Sequence, residues 1–129
     1  PVHKFTAYYN VPEAPAAFSG QVVYWWFGVE SQSASDVLQP VLGYGASGTP
    51  EWTYTSWNCC PSGHQHTANM IKVNTGDQLY GSLDNTGGDG YTVLSQYGSE
   101  QSVLHSNDEV PQVLPLLPME VYNADCDSL

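Results

Sequence analysis

The chain has very few basic residues. Its 129 residues include two lysines and no arginine, against thirteen aspartates and glutamates, so the formal net charge at pH 7 is −11. Clustered lysines and arginines drive binding to nucleic-acid phosphates and to anionic lipid headgroups. We therefore expect neither a nucleic acid nor a membrane surface as a partner.

Long hydrophobic runs are missing as well. No apolar run approaches the roughly 20 residues needed to span a bilayer, and the first residues lack the apolar region of a signal peptide. Protonation of carboxylates in acid relieves the self-repulsion of such an acidic chain. We therefore expect a processed, secreted protein that works in an acidic extracellular medium.

Cysteine is scarce, and the number of cysteines is odd. The sequence contains Cys59, Cys60 and Cys126. A bridge between two neighbouring cysteines closes a strained eight-membered ring, so we expect the disulfide to join Cys59 or Cys60 to Cys126. The third thiol is then either buried or bonded to another chain. No Cys-x-x-Cys spacing indicates a zinc site.

Helical periodicity is hard to find in this chain. Nine prolines and twelve glycines separate short runs rich in valine, tyrosine, tryptophan and threonine, which is typical of an all-β sandwich. The length indicates one domain, residues 1–129. A surface excursion is predicted at 99–109, and turns at 74–77 and 84–90. Strands are predicted at 4–9, 20–30, 36–44, 51–58, 66–73, 77–83, 90–97 and 112–123.

The run from Val113 to Pro118 combines leucines with prolines. Prolines forbid a central strand, whereas leucines favour burial. We expect an apolar arm packed over a sheet face, and a strip that binds a partner chain is the alternative.

Several motifs resemble those of the glutamic peptidases. Residues 26–30 read Trp-Phe-Gly-Val-Glu and residues 37–40 read Val-Leu-Gln-Pro, similar to the family's Trp-Val-Gly-Ile-Asp and Leu-Gln strands. Residues 118–125 contain Met-Glu-Val, similar to the family's Ala-Glu-Trp-Ile strand. The aromatic strand 52–57 and the segment 71–79 follow the family's order. The chain also resembles uncharacterised secreted fungal and microbial proteins.

This resemblance implies a two-sheet antiparallel, concanavalin A-like β-sandwich, or jelly roll. It implies that Gln39 and Glu120 are the catalytic pair, which hydrolyses peptide bonds of a protein or peptide substrate at acid pH without a cofactor. The family continues for several strands past its glutamate. We therefore expect this domain to lack those C-terminal strands, so that the sandwich either is completed by a second chain or further copies or is a smaller variant. By the same analogy, the cleft is lined by Trp26, Glu30, Tyr54 and Trp57.

Other interpretations of these residues remain open. Gln39 and Glu120 can be ordinary polar positions on a half-exposed sheet face. The aromatic residues can form the binding surface of a non-catalytic module for a glycan or a protein partner. His64 and His66 alternate as metal ligands on a strand do, but a metal site needs three or four converging ligands, so no metal is expected.

Overall fold

The computed structural model describes residues 1–107 and 110–124. Their strands form two antiparallel sheets, which confirms the predicted β-sandwich. The first sheet has the strand order β1-β8-β9-β10, and the second contains the other eight strands. Within the described residues, no helix is long and apolar enough to cross a membrane. The strands are β1 (Lys4–Asn10), β2 (Val22–Trp26), β3 (Gly28–Ser31), β4 (Val37–Tyr44), β5 (Trp52–Cys59), β6 (His66–Thr67), β7 (Ile71–Val73), β8 (Gln78–Gly87), β9 (Gly90–Tyr97), β10 (Glu100–Ser106), β11 (Gln112–Leu116) and β12 (Met119–Tyr122).

Several short strands of the second sheet lie end to end, so that two of them occupy one strand position. β2 and β3 both pair with β4, and the register of the two pairings is continuous. The ladder is broken only at Phe27, which lies opposite Pro40. Proline has no N–H to give to the ladder, which explains the break. β12 pairs with β2, and β11 pairs with β3. These two pairings also follow one another, with a break at Leu117 and Pro118. β6 and β7 both pair with β5. The second sheet is therefore five strand positions wide.

The core lies between the two sheets and consists of alternate residues of the strands. One apolar cluster surrounds Leu42 and Tyr54, and a second surrounds Phe27. Fully burying one such side chain contributes about 1.5–3 kcal/mol. The completely buried aliphatic residues Val29, Leu38, Leu42, Leu79 and Val93 come from both sheets.

Buried serines also join the sheets. The Ser56 hydroxyl of β5 donates to the Ser102 carbonyl oxygen of β10 at 2.7 Å and lies 2.9 Å from the Ser95 hydroxyl of β9. The Ser102 hydroxyl in turn accepts from the Ser56 backbone N–H at 3.0 Å. These bonds satisfy polar groups that would otherwise be costly to bury.

Close sheet packing at Gly81 gives a first prediction. A Cβ at this position of β8 would lie 2.6 Å from the Tyr54 hydroxyl oxygen and 2.7 Å from Cε1 of Phe27. We expect Gly81→Ala to lower the free energy of unfolding by about 1–3 kcal/mol, as overpacked core substitutions do. Urea denaturation measures the loss. Adding Phe27→Leu should recover part of it, and unchanged stability of the single variant would contradict this packing.

One segment differs from the predicted strands, and another differs in its predicted burial. Residues 100–106 form β10, paired with β9, instead of a surface excursion. Ser102 is completely buried there, so a polar composition did not mean an irregular loop. The predicted apolar arm belongs to the edge strands β11 and β12, and its expected burial is wrong for Leu114 and Leu117, which are exposed, whereas Leu116 is half-buried.

Candidate functional site

The outer face of the second sheet carries a groove of about 440 Å³. Successive residues of a strand point to opposite faces, so the groove receives every second residue of β2, β4, β5 and β12. It is lined by Val22, Tyr24, Trp26, Val37, Gln39, Trp57, Cys59, Gln65, Glu120 and Tyr122.

Gln39 and Glu120 reach this groove from different strands. Glu120 of β12 is opposite Tyr24 of β2, while Gln39 of β4 is opposite Trp57 of β5. Strand β2 lies between β12 and β4, so Gln39 and Glu120 are two strands apart. When the pairing is followed from β12 through β2 to β4, Gln39 lies four residues along β4 from the position level with Glu120. With strands about 4.8 Å apart and a rise of about 3.3 Å per residue, this offset puts about 16 Å between their Cα atoms in a flat sheet.

A pair of aromatic residues shows how side chains with this offset are placed. Tyr24 of β2 and Trp57 of β5 are also two strands apart and four residues offset, in the same direction. Their ring centroids are nevertheless only 5.2 Å apart. The twisted sheet therefore brings side chains together along this diagonal. Gln39 and Glu120 lie along a parallel diagonal, and both line the groove.

Two glycines allow aromatic rings to lie against the sheet in the groove. A Cβ at Gly28, beside Gln39, would lie 3.1 Å from Cζ3 of Trp26 and 3.2 Å from Cβ of Gln39. A Cβ at Gly43 would lie 2.9 Å from Cε1 of Tyr24. The missing side chains thus make room for the rings of Trp26 and Tyr24 on the groove floor.

Three polar atoms of the groove residues are buried without a hydrogen-bond partner. They are Oε1 of Gln39 and Nε1 of Trp26 and Trp57. Leaving a buried donor or acceptor unpaired costs about 1–3 kcal/mol. A bound group that accepts from an indole N–H and donates to an amide oxygen would remove this cost. Peptide units have both functions.

The Glu120 carboxylate lies beside two phenols. Its negative charge raises the pKa of Tyr122, with partial burial as the second cause. Burial raises the pKa of Tyr24, and electrostatic repulsion from Tyr122 and Glu120 raises it further. The two tyrosine rings are 5.9 Å apart. Both shifts keep the two phenols neutral, and able to donate hydrogen bonds, at neutral and acid pH.

This proximity gives a second prediction. Glu120→Gln removes the charge that disfavours the tyrosinate, so the pKa of Tyr122 should fall towards its ordinary value of 10.0. NMR titration of the assigned Tyr122 ring carbons measures the change. The matched control Glu30→Gln should leave the pKa of Tyr122 as in the native chain. If both substitutions act alike, Glu120 is not the charge beside Tyr122.

The structure brings together most, but not all, of the predicted site residues. Gln39, Glu120, Trp26 and Trp57 line the groove, whereas Glu30 lines an adjoining cavity with Trp26 and Glu120.

The predicted place of Tyr54 in the cleft is wrong. It is completely buried in the core, and its hydroxyl donates to the Tyr80 carbonyl oxygen at 3.1 Å. The reason is strand alternation, which turns Tyr54 to the face opposite Trp57. Alternation also puts Tyr24, two residues before Trp26, and Tyr122, two residues after Glu120, in the groove. The motifs did not indicate these two residues.

The prediction of a disulfide to Cys126 is also wrong. The structure joins Cys59 to its neighbour Cys60, whose Cα atoms are 3.0 Å apart. Cys126 lies outside the described residues, and both thiols that could have bonded to it are already paired with each other. Cys59 lies at the end of β5 and forms part of the groove wall.

His64 and His66 do not belong to a metal-binding cluster of the described residues. Among residues 1–107 and 110–124, no three His, Cys, Asp or Glu side chains are grouped so that they could hold a metal ion. His66 lies in the short strand β6, opposite Asn58.

Comparison with known proteins supports the fold. No protein-family model matches the chain, and no curated protein matches it by sequence. Two solved structures of scytalido-glutamic peptidase are similar. One contains a peptide-based transition-state analogue (TM-score 0.66, 17% identity). The other contains a transition-state analogue inhibitor (TM-score 0.64, 18% identity). Each alignment covers 92% of this chain and 58% of the peptidase chain. The chain thus has the fold of a glutamic peptidase and spans little more than half its length.

Proposed function

We propose that the groove binds an extended polypeptide and that Gln39 and Glu120 hydrolyse one of its peptide bonds at acid pH. The observation that carries this proposal is the placement of both side chains in one groove, at the offset that brings Tyr24 and Trp57 together. The fold shared with a glutamic peptidase supports it.

In the proposed reaction Glu120 is the general base. Its carboxylate takes a proton from a water held between the two side chains, and the water oxygen bonds to the carbonyl carbon of the substrate. The Gln39 amide donates to the oxyanion that forms. Glu120 then gives its proton to the leaving nitrogen, the C–N bond breaks, and a carboxylic acid and an amine are released.

A glutamine suits the second role at any pH, because its NH₂ group is a neutral donor. Gln39 is only 5% exposed, so its hydrogen bond to an oxyanion would form away from bulk water. Such a donor contributes more in a water-excluded site than in solution.

A polypeptide fits the rest of the groove. The unpaired indole N–H groups of Trp26 and Trp57 can donate to substrate carbonyl oxygens, and the aromatic surfaces can bury apolar substrate side chains. The acidic composition and the disulfide fit a secreted protein in an acidic medium.

The test is hydrolysis of a denatured protein substrate between about pH 2 and 7 by the native chain, Gln39→Ala and Glu120→Gln. Cleavage below about pH 5 that both substitutions remove would support the proposed reaction, because base and oxyanion donor each contribute orders of magnitude. Cleavage that is indifferent to both changes, or no cleavage by the native chain, would overturn it.

A non-catalytic binding module is the second candidate. The rings of Tyr122, Tyr24 and Trp57 follow one another across the groove, with centroids 5.9 and 5.2 Å apart. Rows of aromatic rings also stack on sugars. Titration with soluble oligosaccharides, followed by tryptophan fluorescence, tests this candidate. Saturable binding that a Gln39→Ala, Glu120→Gln double variant retains, without any hydrolysis by the native chain, would favour it.

A further inference from the structure

The two sheets of the sandwich differ in width. The first has four strands, whereas the second is five strand positions wide and ends in β11 and β12. Met119 and Leu117 share a strand face with Val121, which packs against the core. Yet Leu117 is 81% exposed and Met119 is 57% exposed. Both border a place between the sheets that the first sheet does not cover, and Leu117, in the break between β11 and β12, also lines the adjoining cavity beside Glu120.

An apolar cleft of about 400 Å³ opens at this uncovered place. β1, the edge strand of the first sheet, forms one side through Tyr8 and Tyr9. The second sheet forms the other side with Trp25, Phe27, Leu117 and Met119. The cleft and the groove thus lie on opposite faces of the second sheet, and Trp26 borders both.

Among the described residues β1 pairs only with β8, so its other edge has no strand partner among them. Half of the N–H and C=O groups of an antiparallel edge strand point away from its neighbour. Another strand added there would lie about 4.8 Å from β1 and above Leu117 and Met119. One segment could therefore satisfy the free backbone groups and cover the exposed side chains.

We propose that the free edge of β1 and this cleft bind one extended polypeptide segment, which becomes a fifth strand of the first sheet. Its recognition is β-strand addition, in which main-chain hydrogen bonds give affinity and a pocket selects alternate side chains. Every second residue of the segment should be apolar, to pack against Leu117, Met119 and Trp25. This binding does not depend on hydrolysis in the groove.

Charge argues against a second copy of this chain as the occupant. At pH 7 such a copy would bring another formal net charge of −11 to the contact, and like charges oppose association. We therefore expect the occupant to be a segment of a partner polypeptide without acidic residues.

A synthetic peptide tests the proposal. The probe is a blocked peptide of alternating valine and threonine, seven residues long to match β1, with a lysine added for solubility. We expect saturable binding and amide NMR shifts at Lys4–Asn10, Leu117 and Met119. The same peptide N-methylated at alternate residues cannot complete the ladder and should bind about tenfold more weakly or worse. Shifts centred on Gln39 and Trp57 would place the peptide in the groove and overturn the proposal.

Variants of the cleft complete the test. Leu117→Lys and Met119→Lys put a charge against the apolar probe and should weaken binding about tenfold or more. The matched control Met70→Lys changes a methionine of similar exposure, 50%, outside the cleft, and should bind as the native chain does. Equal weakening by all three variants, or none by the first two, would contradict the proposal. So would a dimer of the native chain that Leu117→Lys dissociates, because the occupant would then be a second copy.

Discussion

Replacing Glu120 with glutamine is expected to lower kcat/KM for peptide hydrolysis at about pH 4 by roughly 10²–10⁴-fold, the usual contribution of a general base. Glutamine keeps the size and hydrogen-bonding reach of the side chain but cannot take a proton from water. The groove should therefore still bind substrate, and KM should change much less than kcat. Steady-state kinetics on a fluorogenic peptide measures both constants.

Glu30→Gln is the matched control for this prediction. Glu30 of β3 is a second carboxylate on this face of the sheet, and it lines the adjoining cavity with Trp26 and Glu120. We expect the loss of kcat in Glu30→Gln to be much smaller than in Glu120→Gln, because Glu30 does not line the groove that holds the proposed pair. A loss of kcat in Glu30→Gln with normal kcat in Glu120→Gln would mean that the base has been assigned to the wrong glutamate.

Gly28→Ala is expected to destabilise the chain and impair the site together. The new Cβ would lie 2.6 Å from the Leu38 carbonyl oxygen, a backbone atom that cannot rotate away. It would also lie within 3.2 Å of Trp26 and Gln39 side-chain atoms. We expect a loss of about 3 kcal/mol in the free energy of unfolding, at the upper end for overpacking. Urea denaturation measures it.

Displacement of Gln39 and Trp26 should also reduce the hydrolytic rate of the Gly28→Ala protein that remains folded. The control is Gly20→Ala, where a Cβ meets no atom within 4 Å and only the positive φ of 91° is unfavourable. Such a conformation costs roughly 1–2 kcal/mol in a residue other than glycine. Equal destabilisation by both substitutions, with an unaffected rate for Gly28→Ala, would contradict the close packing beside Gln39.

The sandwich and most strand positions could be predicted from the sequence because they depend on local patterns. Turn residues mark the strand ends, as at Gly76, whose φ is +87° in the predicted turn. The segment 100–106 is not evident from its composition because its one completely buried residue, Ser102, is polar, and the Ser102 hydroxyl is satisfied across the sheets.

The candidate site was only partly predictable, because register between distant strands is not a local property. The motifs indicated Gln39 and Glu120, but their relation depends on the pairing of β12 with β2 and of β2 with β4. The wrong assignment of Tyr54 has a local origin. Alternation along β5 puts Tyr54 and Trp57 on opposite faces, so the two could not both line the cleft, and the hydrogen bond to Tyr80 shows that the face of Tyr54 is the core face.

The most direct measurement is a crystal structure of the chain with a peptide-based transition-state analogue. The proposed reaction predicts that the analogue lies in the groove. The Gln39 amide and the Glu120 carboxylate should then both be within about 3.2 Å of oxygens on its tetrahedral centre. An analogue bound elsewhere, or one that contacts only one of the two side chains, would contradict the account.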